Sequence, residues 1–99
     1  MKYLMYYTSA PDFAETAPLH IAGHRQRLAE FHARGTLLMA GPIGDPYNGD
    51  ALGVFATRES VVEFIEGDPF VIGGVVLDWH IREWHEVLIP GQSARPADA

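Results

Sequence analysis

Hydrophobic residues follow two different spacings along this chain. Between residues 75 and 82 they alternate with polar residues, which is the period-two pattern of a strand with one buried face. Between residues 18 and 34 they collect on one arc of a helix, and Gly35 is placed to end that helix. Shorter apolar runs between clusters of turn residues indicate further strands. The predicted strands cover residues 2–8, 36–40, 51–57 and 75–88, and the predicted helices cover 18–34 and 60–67.

Local signals refine these elements. Ser60 and Glu63 have the spacing of a capping box, which predicts that the second helix begins at Ser60. Asp68 before Pro69 predicts a further helical turn, because Pro suits the first position after an Asp cap. In the last strand the alternation changes near Glu83 and Trp84, which predicts either a bulge or a change of environment there. The apolar arc of the first helix carries His20, Ile21, His24, Leu28 and Phe31, and its opposite side carries Gln26, Arg27, Glu30 and Arg34.

The order of elements is β-α-β-β-α-β. This order predicts an α+β, ferredoxin-like fold in which two helices cover one face of a four-stranded antiparallel sheet. The other face would carry aromatic and polar side chains without a cover, so we expect a second copy of the chain to lie on it.

Length and composition narrow the class of protein. The chain has 99 residues, enough for one domain, which we expect at residues 1–89. The tail at 90–99 is expected to be flexible. Seven Lys and Arg against thirteen Asp and Glu give a net charge of −6, which argues against nucleic acid or an anionic membrane as the partner. There is no cysteine, hence no thiolate chemistry. Neither a membrane span nor a signal peptide is recognisable, so we expect a cytoplasmic protein.

For two residues, both a structural and a chemical role fit the sequence. His24 lies on the apolar arc, either as a core histidine satisfied by one hydrogen bond or as a general acid/base, the role for which histidine is the residue type best suited at neutral pH. Asp68 is either a helix cap or the carboxylate that holds a catalytic imidazole in one tautomer. Sequence alone does not place these two side chains within reach of each other.

Metal and cofactor sites are not indicated. His20 and His24 have the i, i+4 spacing of a metal pair, but the residue after His20 is Ile21 rather than the Glu of a metalloprotease signature. The glycines between residues 41 and 53 do not have the spacing of a phosphate-binding loop. We therefore predict neither a metal nor a cofactor.

The ordered series of motifs resembles the YCII-related (YciI-like) family. The resemblance rests on His24 in the first helix, the run from Gly35 to Pro42, the Asp68-Pro69-Phe70 turn and a closing strand that ends in Ile-Arg-Glu-Trp. It covers residues 1–87 and implies a ferredoxin-like subunit that dimerises through its sheets into an α/β barrel. It also implies an active site built on a histidine and an aspartate, at His24 and Asp68 here.

The resemblance implies that the protein is an enzyme that acts on a small molecule. The first hypothesis is a cofactor-free lyase, isomerase or hydrolase that acts on a small, ring-shaped molecule, with His24 as the base and Asp68 as its partner. The alternatives are a dimeric ligand-binding or accessory domain without chemistry, and a cofactor-free monooxygenase. The expected pocket lies between the helices and the sheet, with Tyr6, Gly41, Pro42 and Phe70 as substrate-binding residues.

Overall fold

The structure, a computed structural model, describes residues 1–92. Of the tail predicted to be flexible, residues 93–99 lie outside the described residues. The predicted order of strands and long helices is confirmed, and so is the helical turn predicted after Asp68, which forms a short third helix. The elements are β1 (Lys2–Ser9), α1 (Phe13–Ala33), β2 (Leu37–Pro42), β3 (Asp50–Phe55), α2 (Arg58–Gly67), α3 (Pro69–Ile72) and β4 (Val76–Trp84).

The four strands form one antiparallel sheet in the order β2-β3-β1-β4. The ferredoxin-like arrangement is therefore present as predicted. On central strand β1, Met5 and Tyr7 are buried on the face that carries the helices, whereas Tyr6 points to the opposite face. There the Tyr6 ring stacks on that of His80, with centroids 4.8 Å apart.

The core lies between α2, the end of α1 and the sheet. Phe31, Phe55 and Phe64 are fully buried. Phe64 meets Phe31 edge to face, with centroids 5.2 Å apart. Phe31 is the one buried residue among the 21 of α1. The earlier turns of α1 therefore stand away from the sheet.

A close seam joins α1 to the segment around α3. A Cβ atom added to Gly23 would lie 3.1 Å from Pro69 Cγ, and one added to Gly73 would overlap the His20 ring. Since neither glycine carries a side chain, the two elements approach closely. This approach brings His24, the residue after Gly23, beside the start of α3.

Helix starts differ from the predictions. The α1 helix begins at Phe13 rather than residue 18 and contains Pro18 in its second turn, where proline removes one backbone hydrogen bond of the helix. The α2 helix begins at Arg58, because the side chain of Thr57 accepts the amide of Ser60 and is the cap. The prediction that Ser60 caps this helix was wrong.

Two further expectations are corrected. The bulge in β4 lies at Leu77: Thr8 pairs with Asp78 and Ser9 with Val76, so Leu77 has no partner and is 67% exposed. Along residues 81–84 the pairing with β1 stays regular, so the expected bulge near Glu83 is absent.

Arg27 does not lie on an outer face of α1. It packs over the Phe31 and Phe64 rings at 4.8 and 5.7 Å, and donates to the carbonyl oxygens of Glu63 and Phe64 near the end of α2. Its long side chain therefore links the two helices.

Within residues 1–92, no helix has the length and apolar character that crossing a membrane requires.

Candidate active site

Asp68 is the centre of the site. It lies between α2 and α3 and is completely buried. Its Oδ1 accepts hydrogen bonds from the Phe70 amide at 3.1 Å and from His24 Nδ1 at 2.8 Å, and its Oδ2 accepts one from the Tyr7 hydroxyl at 2.8 Å. Three donors from a strand, a helix and a helical turn thus converge on one carboxylate. Such convergence compensates for the water that a buried charge has lost.

The contact with Asp68 fixes the imidazole of His24. An ionised carboxylate only accepts hydrogen bonds, so the neutral ring carries its proton on Nδ1 and leaves Nε2 as an acceptor. The ring also stacks on Phe70, with centroids 3.8 Å apart and planes 6° from parallel. The His24 side chain keeps 14% exposure. The His24 ring is thus fixed by the hydrogen bond at Nδ1 and by the stacked Phe70 ring, and Nε2 has no hydrogen-bond partner among residues 1–92. This is an arrangement that suits a general base.

Tyr7 is a neutral donor in this site. Burial, the charge of Asp68 and the hydrogen bond to it all raise the pKa of the Tyr7 phenol far above its ordinary value of 10. A phenol with so high a pKa does not deprotonate at neutral pH. Tyr7 therefore stays protonated and serves as a hydrogen-bond donor to Asp68.

A cavity of about 730 Å³ lies between α1 and the sheet, where α1 stands away from the strands. Its volume lies within the range of roughly 300–1,000 Å³ typical of small-molecule sites. One face of α1 forms one wall, and β1, the end of β2 and β3 form the other. The lining residues are Met5, Tyr7, Ser9, Phe13, Ala14, Ala17, Pro18, Ile21, His24, Arg25, Leu28, Ala40, Gly41, Pro42, Tyr47, Ala51, Leu52, Phe70 and Val76.

The structure brings most of the residues selected from the sequence to this cavity. His24, Gly41, Pro42 and Phe70 line it. Asp68 is fully enclosed behind His24 and Tyr7, and both of these side chains line the cavity and are hydrogen-bonded to it.

The exception is Tyr6, which lies on the other face of the sheet and is not among the lining residues. Tyr7 takes the place that was expected for Tyr6. The period-two pattern of β1 could have found it, because Tyr7 shares its face with the buried Met5.

The two histidines spaced for a metal serve separate contacts. The His20 ring packs against Gly73, and His24 Nδ1 is bonded to Asp68. The described part of the chain contains no group of three or more His, Asp or Glu side chains arranged to hold a metal ion.

A second buried carboxylate lies apart from the cavity. Glu86 is 5% exposed, with Oε1 2.6 Å from the amino-terminal nitrogen of Met1 and Oε2 2.9 Å from Lys2 Nζ. The hydrogen bond to the amino terminus, followed by that to Lys2, lowers the pKa of Glu86 from 4.5 to about 2. This cluster ties the segment after β4 to the start of β1.

Comparisons with known proteins agree with the fold. A family model described as the YCII-related domain matches residues 1–85. A search of the curated proteins gives no match.

A solved structure is also similar: 5-chloro-2-hydroxyhydroquinone dehydrochlorinase from Burkholderia phenoliruptrix, in complex with 2,5-dihydroxybenzoquinone. The TM-score is 0.71 at 20% sequence identity, and the match covers 86% of this chain and 94% of that chain. At this identity the similarity establishes a shared fold.

Proposed function

The chain belongs to the YCII-related domain family, and on this premise we propose that it is an enzyme that transfers protons on a small, ring-shaped organic molecule. In this proposal His24 is the catalytic base and Asp68 orients it. The observation that carries the proposal is the 2.8 Å contact between His24 Nδ1 and Asp68 Oδ1 at the wall of the cavity. A capping Asp needs no such contact, and a core histidine needs no cavity.

The proposed chemistry begins with proton abstraction. His24 Nε2 takes a proton from a carbon or hydroxyl of the bound molecule, and the imidazolium that forms is stabilised by the charge of Asp68. The electron pair left behind forms a new π bond within the substrate. In an elimination, a leaving group departs from the neighbouring atom with its own electron pair. In an isomerisation, an existing π bond of the substrate breaks instead, and its electron pair takes the proton back from His24 at another carbon. These steps need no group beyond the protein side chains and the substrate.

The residues that line the cavity support a cyclic substrate. The cavity walls are mainly apolar, with flat or short side chains such as Phe13, Ala17 and Pro18. The dehydrochlorinase with the same fold is in complex with a benzoquinone, a planar six-membered ring. We therefore propose phenols, quinones and lactones as the compounds to test first.

We also propose that two copies associate through the open face of the sheet. This face exposes Met39 (61%) and Trp84 (43%) beside the half-buried Leu4 and Tyr6. Light scattering at micromolar concentration is expected to give twice the mass of the 10.9 kDa chain. A mass near that of one chain contradicts the dimer.

Turnover of a compound panel tests the catalytic proposal. His24→Gln keeps the size and polarity of the side chain but removes its basic nitrogen, so turnover of any accepted substrate is expected to fall by roughly 10²–10⁴-fold. Ligand affinity, measured separately by calorimetry, is expected to change little. Equal turnover by wild type and variant refutes His24 as the base. Tight binding of panel members without any turnover favours the ligand-binding alternative.

A further inference from the structure

The cavity walls differ in charge from the chain as a whole. The chain has thirteen Asp and Glu against seven Lys and Arg. Within the described residues, however, no Asp or Glu lines the cavity, and Arg25 is the one permanently charged side chain that does. The negative charge of Asp68 is enclosed behind His24 and Tyr7. A ligand in the cavity therefore meets a cation without a competing surface anion.

Arg25 is well placed in α1 to contact a ligand bound at His24. It follows His24 directly, and it lies one helical turn from both Ile21 and Leu28, which line the same cavity. These neighbours provide apolar surface for the body of the ligand. The guanidinium provides hydrogen-bond donors at the solvent-exposed side.

The neighbouring arginines have partners, whereas Arg25 has none among residues 1–92. Arg27 donates to two carbonyl oxygens of α2, and Arg34 pairs with Glu63. Among residues 1–92, no side chain or backbone group forms a hydrogen bond or ion pair with Arg25. Its charge is therefore available to a bound molecule.

We infer that Arg25 is a specificity-determining residue that binds the acidic group, a carboxylate or phenolate, of a cyclic ligand in this cavity. This inference rests on the proposed function for the identity of the site and adds the charge of the ligand. The planar guanidinium fork matches a carboxylate in two parallel hydrogen bonds. The ring of the ligand then lies against the apolar walls, with a ring atom or substituent beside His24.

Binding of two ligands of the same shape tests the inference. Benzoate and benzamide differ chiefly in charge, and their dissociation constants can be measured by NMR titration. Wild-type protein is expected to bind benzoate roughly ten- to a hundredfold more tightly than benzamide, in line with one charge-assisted contact. In Arg25→Gln this preference is expected to disappear while benzamide binds as before. Arg58→Gln removes the same charge from α2, away from the cavity, and is expected to keep the preference.

Three results would overturn the inference: no measurable binding of benzoate to the wild type, no preference for it over benzamide, or a preference that survives in Arg25→Gln. Because binding is measured without turnover, the outcome is separate from that of the catalytic proposal. If turnover of neutral ring compounds requires His24 while the anion preference is missing, only the role of Arg25 fails. If the preference is present but His24→Gln retains full turnover, only the catalytic proposal fails.

Discussion

Replacing Tyr7 by Phe removes one hydroxyl from the centre of the site. The ring is 4% exposed and packs in the core, and Phe keeps that packing. What changes is Asp68 Oδ2, whose hydrogen bond at 2.8 Å comes from this hydroxyl. A fully buried carboxylate oxygen then loses its donor, which costs about 2–3 kcal/mol of the free energy of unfolding. For a domain of this size, that loss lowers the melting temperature by roughly 10–20 °C.

The assay is urea denaturation with Tyr3→Phe as the matched control. Tyr3 lies on the same strand and the same face, and its hydroxyl forms no hydrogen bond with any residue in 1–92. The control is expected to stay within about 0.5 kcal/mol of wild type. Equal stability of the two variants refutes the conclusion that Tyr7 holds Asp68.

The Tyr7→Phe variant is also expected to change how the free energy of unfolding depends on pH in the alkaline range. The pKa of Tyr7 is raised in the folded state, so unfolding releases a proton once the pH exceeds about 10, the unfolded value. The contribution of Tyr7 to the free energy of unfolding is therefore complete below pH 10 and is lost as the pH rises towards the pKa of the folded state. Tyr7→Phe is expected to lose stability less steeply above pH 10 than wild type does. Parallel curves contradict the burial of this phenol beside a charge.

Two further predictions concern the carboxylates. Asp68→Asn keeps the cap of α3 but removes the negative charge beside His24. We therefore expect ¹⁵N NMR to show that neutral His24 shifts away from the Nδ1–H tautomer, and we expect turnover to fall far more than stability. If tautomer and turnover are both unchanged, Asp68 has the capping role alone. The pKa of Glu86 is lowered to about 2, so its contribution to stability is present above pH 4.5 and is lost as the pH falls from 4.5 towards 2. Glu86→Gln is therefore expected to flatten the acid limb of urea midpoints over that interval, and an acid limb as steep as that of wild type contradicts the assignment.

The sequence predicted the fold well because its elements have strong periodic patterns. The alternation from residue 75 onwards and the arc of α1 are both clear, and Gly35 ends that helix as expected. Element boundaries are less predictable: the pattern predicts a helix from residue 18, whereas α1 begins at Phe13 and continues through Pro18 despite the backbone hydrogen bond that proline removes. The capping residue of α2 was also misassigned, because Thr57 and Ser60 are both good caps three residues apart.

The site was only partly predictable. His24 could be selected because a histidine on an apolar arc needs a partner, but its contact with Asp68 spans 44 positions and depends on how α1 crosses α3. That crossing distance follows from Gly23 lying against Pro69, which no local pattern encodes. The cavity itself results from α1 standing away from the sheet, a property of packing between elements.

Asp68 Oδ1 is shared by two donors, which couples the orientation of His24 to the opening of the short α3 helix. This one oxygen accepts both the Phe70 amide and His24 Nδ1, and Phe70 covers the face of the same imidazole. The α3 helix has only four residues, so its opening removes the amide donor and the stacking partner together. A ligand that requires the aligned imidazole thereby disfavours the open turn. Slower amide hydrogen exchange at residues 70–73 would thus report occupancy of the cavity, even for a ligand that does not touch those amides.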